Sequence, residues 1–107
     1  MKKRKIIAVD FDGCLVEGRF PDIGQPIYET ITALKEEQSR GARVILWTCR
    51  RGAALTAAVE WCARHGIHLN AINKNLSEIT EAYGGDGQKV YADEYWDDKA
   101  RVMPPIK

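Results

Sequence analysis

Lys5-Ile6-Ile7-Ala8-Val9-Asp10-Phe11-Asp12-Gly13-Cys14-Leu15 joins an unbroken apolar run to two carboxylates and a glycine. The run Ile6 to Val9 predicts a strand covered on both faces, the kind that a parallel sheet buries. In extended backbone the side chains at i and i+2 share a side, so Asp10 and Asp12 are expected to project together from the strand's end. Two like charges that close are unfavourable unless a cation lies between them. A hard divalent ion such as Mg²⁺ does this, taking carboxylate and carbonyl oxygens while keeping waters for exchange. Gly13 lets the chain turn sharply and a ligand come close to the backbone. Asp-Gly also marks an ordinary polar turn, so its meaning depends on what the rest of the chain brings to the same place.

Working outward, Leu15 to Gly24 is irregular, punctuated by Gly18, Pro21 and Gly24, and reads as a short flap. Pro26 suits a first helical turn, Ile27, Ile31 and Leu34 recur at helical spacing, and Gly41 supplies a stop. Val44-Ile45-Leu46-Trp47 predicts a second buried strand that ends at Thr48-Cys49-Arg50-Arg51-Gly52. Leu55, Ala58, Val59 and Cys62 form one face of a second helix, closed by Gly66. Ile67 to Ile72 is a weaker third strand with Lys74 just beyond it. Asn75 and Glu78 have the spacing of a helix start, with Leu76, Ile79 and Tyr83 as its apolar face and Gly84-Gly85-Asp86-Gly87 as its end. Val90 to Trp96 reads as a fourth strand, polar at Asp93 and Glu94 and terminating in Asp97-Asp98. The tail through Pro104-Pro105 is expected to be extended.

Strands alternating with helices imply right-handed crossovers and a three-layer α/β/α, Rossmann-like domain with a mainly parallel sheet. The 107 residues suffice for one domain, expected to span 1–107 and to bury about 65% of the unfolded surface, with no large cap domain. An apolar content of 45%, a charged content of 29% and a net charge of +1 fit an ordinary globule and give no global pull toward nucleic acid or membrane. Met1-Lys2-Lys3-Arg4-Lys5 resembles the start of a secretory leader, but the apolar stretch after it stops at Asp10, too short for a secretory or spanning core. Cys14, Cys49 and Cys62 are an odd set without metal-ligand spacing, which points to reduced thiols in a cytoplasm.

In open parallel sheets, ligands sit beyond the carboxyl ends of the strands. Asp10 and Asp12 follow the first strand, Thr48 the second, Lys74 the third and Asp97-Asp98 the fourth, so all are expected along one edge. That set suits phosphoryl transfer, which needs an in-line nucleophile, neutralisation of the equatorial oxygens and a proton donor for the leaving group. Asp10 would attack to form an aspartyl-phosphate, and Asp12 would protonate the leaving alkoxide and later activate water. The Asp10 carboxylate, the Asp12 carbonyl and one or both of Asp97 and Asp98 would hold Mg²⁺. The Thr48 hydroxyl and the segment Cys49-Arg50 would bind the phosphoryl group, with a lysine adding a compact positive charge. Two lysines suit that role, Lys89 just upstream of the last strand and Lys74 after the third, and the choice stays open. Arg50 and Arg51 read first as surface charges, one of which could clamp a substrate anion at the mouth. His65 and His68 are expected to face solvent, and Trp47, Trp61 and Trp96 to pack in or against the core.

Asp10-Phe11-Asp12-Gly13-Cys14-Leu15, the apolar run ending in Thr48, a lysine, and the apolar-flanked Asp97-Asp98 together resemble the four ordered motifs of the haloacid dehalogenase-like superfamily, mostly Mg²⁺-dependent phosphatases. The resemblance runs from Lys5 to Ala100. The segment Lys89 to Ala100 is similar to the end of small, cap-less members from phages and bacteria. It implies Asp10 as nucleophile, Asp12 as acid/base, and Asp97 with Asp98 as metal ligands. Cys14 stands where the family usually has threonine, and Val90 follows Lys89 where many relatives have proline. Cap-less members either form homo-oligomers that close the site or accept large, exposed phosphorylated substrates, and both stay open here. The competing reading is a catalytically inactive metal- or phosphate-binding module of the same fold. A phospho-acceptor signalling domain is more remote, because its acceptor aspartate follows the third strand, which here ends at Asn73-Lys74.

Overall fold

The computed structural model describes residues 4–76 and 91–97, and the backbone of 101–102. The elements run β1 (Ile6–Val9), α1 (Tyr28–Ser39), β2 (Arg43–Leu46), α2 (Gly52–Arg64), β3 (Ala71–Ile72), β4 (Glu94–Trp96) and β5 (Arg101–Val102). They build a three-layer α/β/α domain on a sheet of order β3-β2-β1-β4-β5. The first four strands are parallel, and β5 pairs antiparallel with β4 through Tyr95↔Val102 and Trp96↔Arg101. The tail, expected to be extended but not placed in the sheet, forms this edge strand at Arg101–Val102. The expected helix from Asn75 to Tyr83 lies almost wholly outside the described residues, as do Lys89, Asp98 and Pro104-Pro105.

Because β1 is apolar at every position, its pleat feeds both faces of the sheet. Ile7 and Val9 join Val44 and Leu46 of β2 under Ile31 and Leu34 of α1 and Ala58, Trp61 and Cys62 of α2. Ile6 and Ala8 join Ile45 on the opposite face, with Ala71, Leu76 and Ala92. Phe11, just past the strand, is fully buried and meets Trp61 edge to face at 5.3 Å. Burying a ring of that size contributes about 3 kcal/mol, and anchors the loop carrying Asp10 and Asp12 to the first core. Gly41 and Gly66, expected as helix stops, have φ of 97° and 77°, the left-handed geometry in which a side chain is strained.

The third and fourth strands are shorter than their apolar spans suggest, for a shared reason. Asn70 Oδ1 accepts from Val44 N at 2.9 Å, so a side-chain carbonyl takes a place that a backbone carbonyl would fill in a longer β3. Asn75 Oδ1 likewise accepts from Tyr91 N at 2.6 Å, and the Tyr95 hydroxyl accepts from Ala92 N at 3.1 Å, ahead of β4. The polarity of Asp93 and Glu94 is also explained. Asp93 Oδ2 accepts from Ile6 N at 2.7 Å, and Glu94 meets Lys5 Nζ at 2.9 Å, so the two acids tie the start of β4 to the start of β1.

Candidate functional site

β1 is the middle of the order β3-β2-β1-β4, where connections part to either side, and the crevice of such sheets opens there. Its register is tight: Val9 pairs with both Leu46 and Trp96. Asp10 N donates to Trp96 O at 2.9 Å, and Trp47 N donates to Val9 O at 2.9 Å. Asp10, Trp47 and Asp97 therefore leave three adjacent strands at the same level. Asp10 Oδ1 accepts from Phe11 N at 2.8 Å, which fixes the carboxylate against its own turn.

A cavity of about 540 Å³ lies there, lined by Asp10, Trp47, Thr48, Cys49, Arg51 and Asn73. Thr48 Oγ1 accepts from Arg50 N at 3.1 Å, and Thr48 N donates to Asn73 Oδ1 at 2.7 Å. Asn73 sits at φ 55°, left-handed backbone that asparagine tolerates better than most residues. It was not among the residues expected at the site, yet it fixes the loop that carries Thr48. The available signal was an asparagine at the end of a predicted strand. Arg51 precedes the first residue of α2, so the positive end of that helix dipole faces the same region.

Asp12 and Arg50 depart from expectation together. Beyond Val9 the backbone leaves strand geometry, Gly13 takes φ 86°, and the i, i+2 rule no longer governs the carboxylates. Asp12 is not among the residues lining the cavity of Asp10. Its Oδ2 accepts from Arg50 Nε at 2.8 Å and its Oδ1 from Arg50 Nη2 at 2.7 Å. Arg50 is no surface charge: it is 1% exposed. It also donates to the carbonyls of Pro21, Asp22 and Ala54. Its guanidinium carbon stands 5.0 Å from the Phe11 ring and 5.1 Å from the Phe20 ring. The Asp12 carboxylate raises the guanidinium's pKa further above its ordinary value, so Arg50 is a permanent cation.

The flap is closed at its base by Glu17 N to Gln25 O at 2.9 Å and Ile27 N to Leu15 O at 2.8 Å. Arg50 reaches its middle through Pro21 and Asp22. Lys74 is exposed and does not line the cavity; Lys89 lies outside the described residues. His68 is exposed as expected, whereas His65 is half-buried, stacked on Trp61 at 3.9 Å. Trp61 and Trp96 are buried, and Trp47 is 44% exposed. Cys14, Cys49 and Cys62 are free thiols, and Cys49 is the exposed one.

Among the described residues no group of three His, Cys, Asp or Glu side chains is placed to share a metal ion. Asp98 falls outside that set. The donors present, Asp10, Asp97 and the Asp12 carbonyl, are all hard oxygens, the type that Mg²⁺ takes. No helix among the described residues is long and apolar enough to cross a membrane.

A conserved protein from Bacteroides thetaiotaomicron of solved structure is 38% identical to this chain, and the match covers 97% of this chain and 84% of that one with a TM-score of 0.79. No family model and no curated protein matches the sequence.

Proposed function

The chain belongs to the family of that conserved Bacteroides thetaiotaomicron protein, and we propose, from its own residues, that it is a Mg²⁺-dependent phosphomonoester hydrolase of the haloacid dehalogenase-like type. The observation that carries the reading is the shared cavity of Asp10 and Thr48 at the carboxyl ends of β1 and β2, with Asp97 in register beside Asp10.

In this reading an Asp10 oxygen attacks phosphorus while the bond to the leaving alcohol oxygen breaks, and that oxygen takes a proton from Asp12. Water then attacks the phosphorus of the aspartyl-phosphate, giving its proton to Asp12, and the Asp10 oxygen leaves as phosphate departs. Thr48 and the backbone amides after it, at the N-terminal end of α2, bind the phosphoryl oxygens. Asp10, Asp97, Asp98 and the Asp12 carbonyl would hold Mg²⁺, which supplies charge neutralisation for the phosphoryl group. Arg50 grips Asp12 in its carboxylate form, the form required to accept a proton from water. To serve as acid in the first half, Asp12 must take up a proton and loosen that grip.

The same ion pair favours a second reading, a phosphate-binding module without turnover, in which Arg50 keeps Asp12 permanently occupied. Turnover of 4-nitrophenyl phosphate with Mg²⁺, lost in Asp10→Asn and on adding EDTA, is expected of the hydrolase. Folded protein with no turnover across nucleotides, sugar phosphates and phosphorylated nucleic-acid ends would remove it and leave the module.

A further inference from the structure

We infer that Trp47 is a stacking platform for the leaving group, so that the preferred substrates are phosphate monoesters carrying a planar aromatic ring, of which nucleoside monophosphates are the type. The inference rests on the hydrolase reading for its catalytic consequence, but its structural basis is separate.

The placement of Trp47 argues against incidental exposure. Single exposed apolar side chains are ordinary on any surface. Phe20 and Tyr28 are more exposed than Trp47, at 62% and 66%, but neither lines the cavity of Asp10. Trp47 does, and it comes directly before Thr48 in the chain. Its backbone is held at the end of β2 by Val9 O, and the next residue is held by Asn73. The residue is thus carried on a fixed strand end, and it is both exposed and part of the cavity lining. A rigid aromatic with few rotatable bonds loses little entropy when a ring stacks on it, and base stacking on aromatic side chains tolerates any base because each has a π-face.

Size and charge agree. A cavity of about 540 Å³ falls within the range that takes a whole small ligand, larger than a phosphoryl group alone requires. Its lining combines polar groups suited to a phosphate, Thr48, Asn73 and Arg51, with one aromatic residue, Trp47, suited to a ring.

Adenosine 5′-monophosphate and ribose 5-phosphate differ by the base alone and form the test. In the wild-type chain with Mg²⁺, kcat/KM is expected to favour the nucleotide by about tenfold or more. That ratio should fall toward unity in Trp47→Ala and be largely kept in Trp47→Phe, which also guards against misfolding of the alanine variant. A ratio unmoved by Trp47→Ala, or already near unity in the wild type, overturns the inference while leaving the hydrolase reading intact. A binding arm covers the case in which nothing is turned over. Trp61 and Trp96 are buried, so adenosine 5′-monophosphate should quench tryptophan emission where ribose 5-phosphate does not, and Trp47→Phe should abolish the difference. Equal quenching by both ligands, or none by either, would discard the platform.

Discussion

The Arg50 guanidinium holds the Asp12 carboxylate by two hydrogen bonds of 2.8 and 2.7 Å across 38 residues of chain. Arginine's planar fork matches a carboxylate edge, which lysine cannot reproduce. The pair unites the loop after β1, the loop after β2 and the flap, because the remaining N–H groups of Arg50 reach Pro21, Asp22 and Ala54.

Truncating Arg50 leaves a partly buried carboxylate and three carbonyls without their donor. Arg50→Ala is therefore expected to lower unfolding stability by about 3 kcal/mol, in the range for removing one member of a buried pair. Arg50→Lys should recover part of that loss, since it restores charge without the fork. Urea denaturation measures both. A loss below about 0.5 kcal/mol in Arg50→Ala would mean that the pair does not hold the loops together.

Gly24 is required by close packing. A Cβ at that position would run into the Glu17 carbonyl, whereas one at Gly18 meets nothing within 4 Å. Gly24→Ala should cost about 1–3 kcal/mol, as overpacking does, and speed proteolytic cleavage within residues 17–25. Gly18→Ala, on the same flap, should stay within about 0.5 kcal/mol of wild type. Equal behaviour of the two variants in limited proteolysis would refute the packing argument.

The three thiols should separate by reactivity. Burial pushes the Cys62 thiol up to about 12, so it stays protonated and inert near neutral pH. Cys14 is buried as well, and Cys49 is exposed on the cavity wall. One thiol of the native chain is expected to react rapidly with a disulfide reagent at pH 8, and three in denaturant. Replacement of Cys49 by serine should abolish the fast phase; its survival would contradict the assignment.

Lys5 offers a test at alkaline pH. Its hydrogen bond to Glu94 raises its pKa above the ordinary 10.5, aided by Glu37 at 3.2 Å and opposed by partial desolvation. A pKa raised by folding adds stability that is complete below the unfolded value of about 10.5. That stability is lost as pH climbs through the folded value. The difference in unfolding free energy between wild type and Lys5→Met should accordingly be constant from pH 7 to 9.5 and shrink above pH 10.5. A difference that stayed flat to pH 11.5 would show that the bond to Glu94 does not matter in solution.

Ile6 to Val9 was legible as a buried strand because four apolar residues in a row have no other economical place in a chain of mixed polarity. The faces of both described helices were legible for a related reason. Ile31 and Leu34, and Ala58 and Cys62, repeat at the helical period and do point into one core. The strand ends were harder to read. Asn70 and Asn75 replace backbone partners with side-chain carbonyls, and an asparagine in sequence does not reveal which amide it will bond.

Local pattern determined by itself where most regular backbone occurs, which apolar residues of the strands and helices face inward, and that Asp10 and Thr48 come to one end of the sheet, since these depend on periods of a few residues. Tertiary structure alone decided that Asp12 belongs to Arg50, that Trp47 lines the cavity of Asp10, and that Asn73 steadies Thr48. Those three relationships arise where the chain has left strand and helix dihedrals. There, spacing along the sequence no longer says where a side chain points, and the partner is set by packing between segments far apart in the chain.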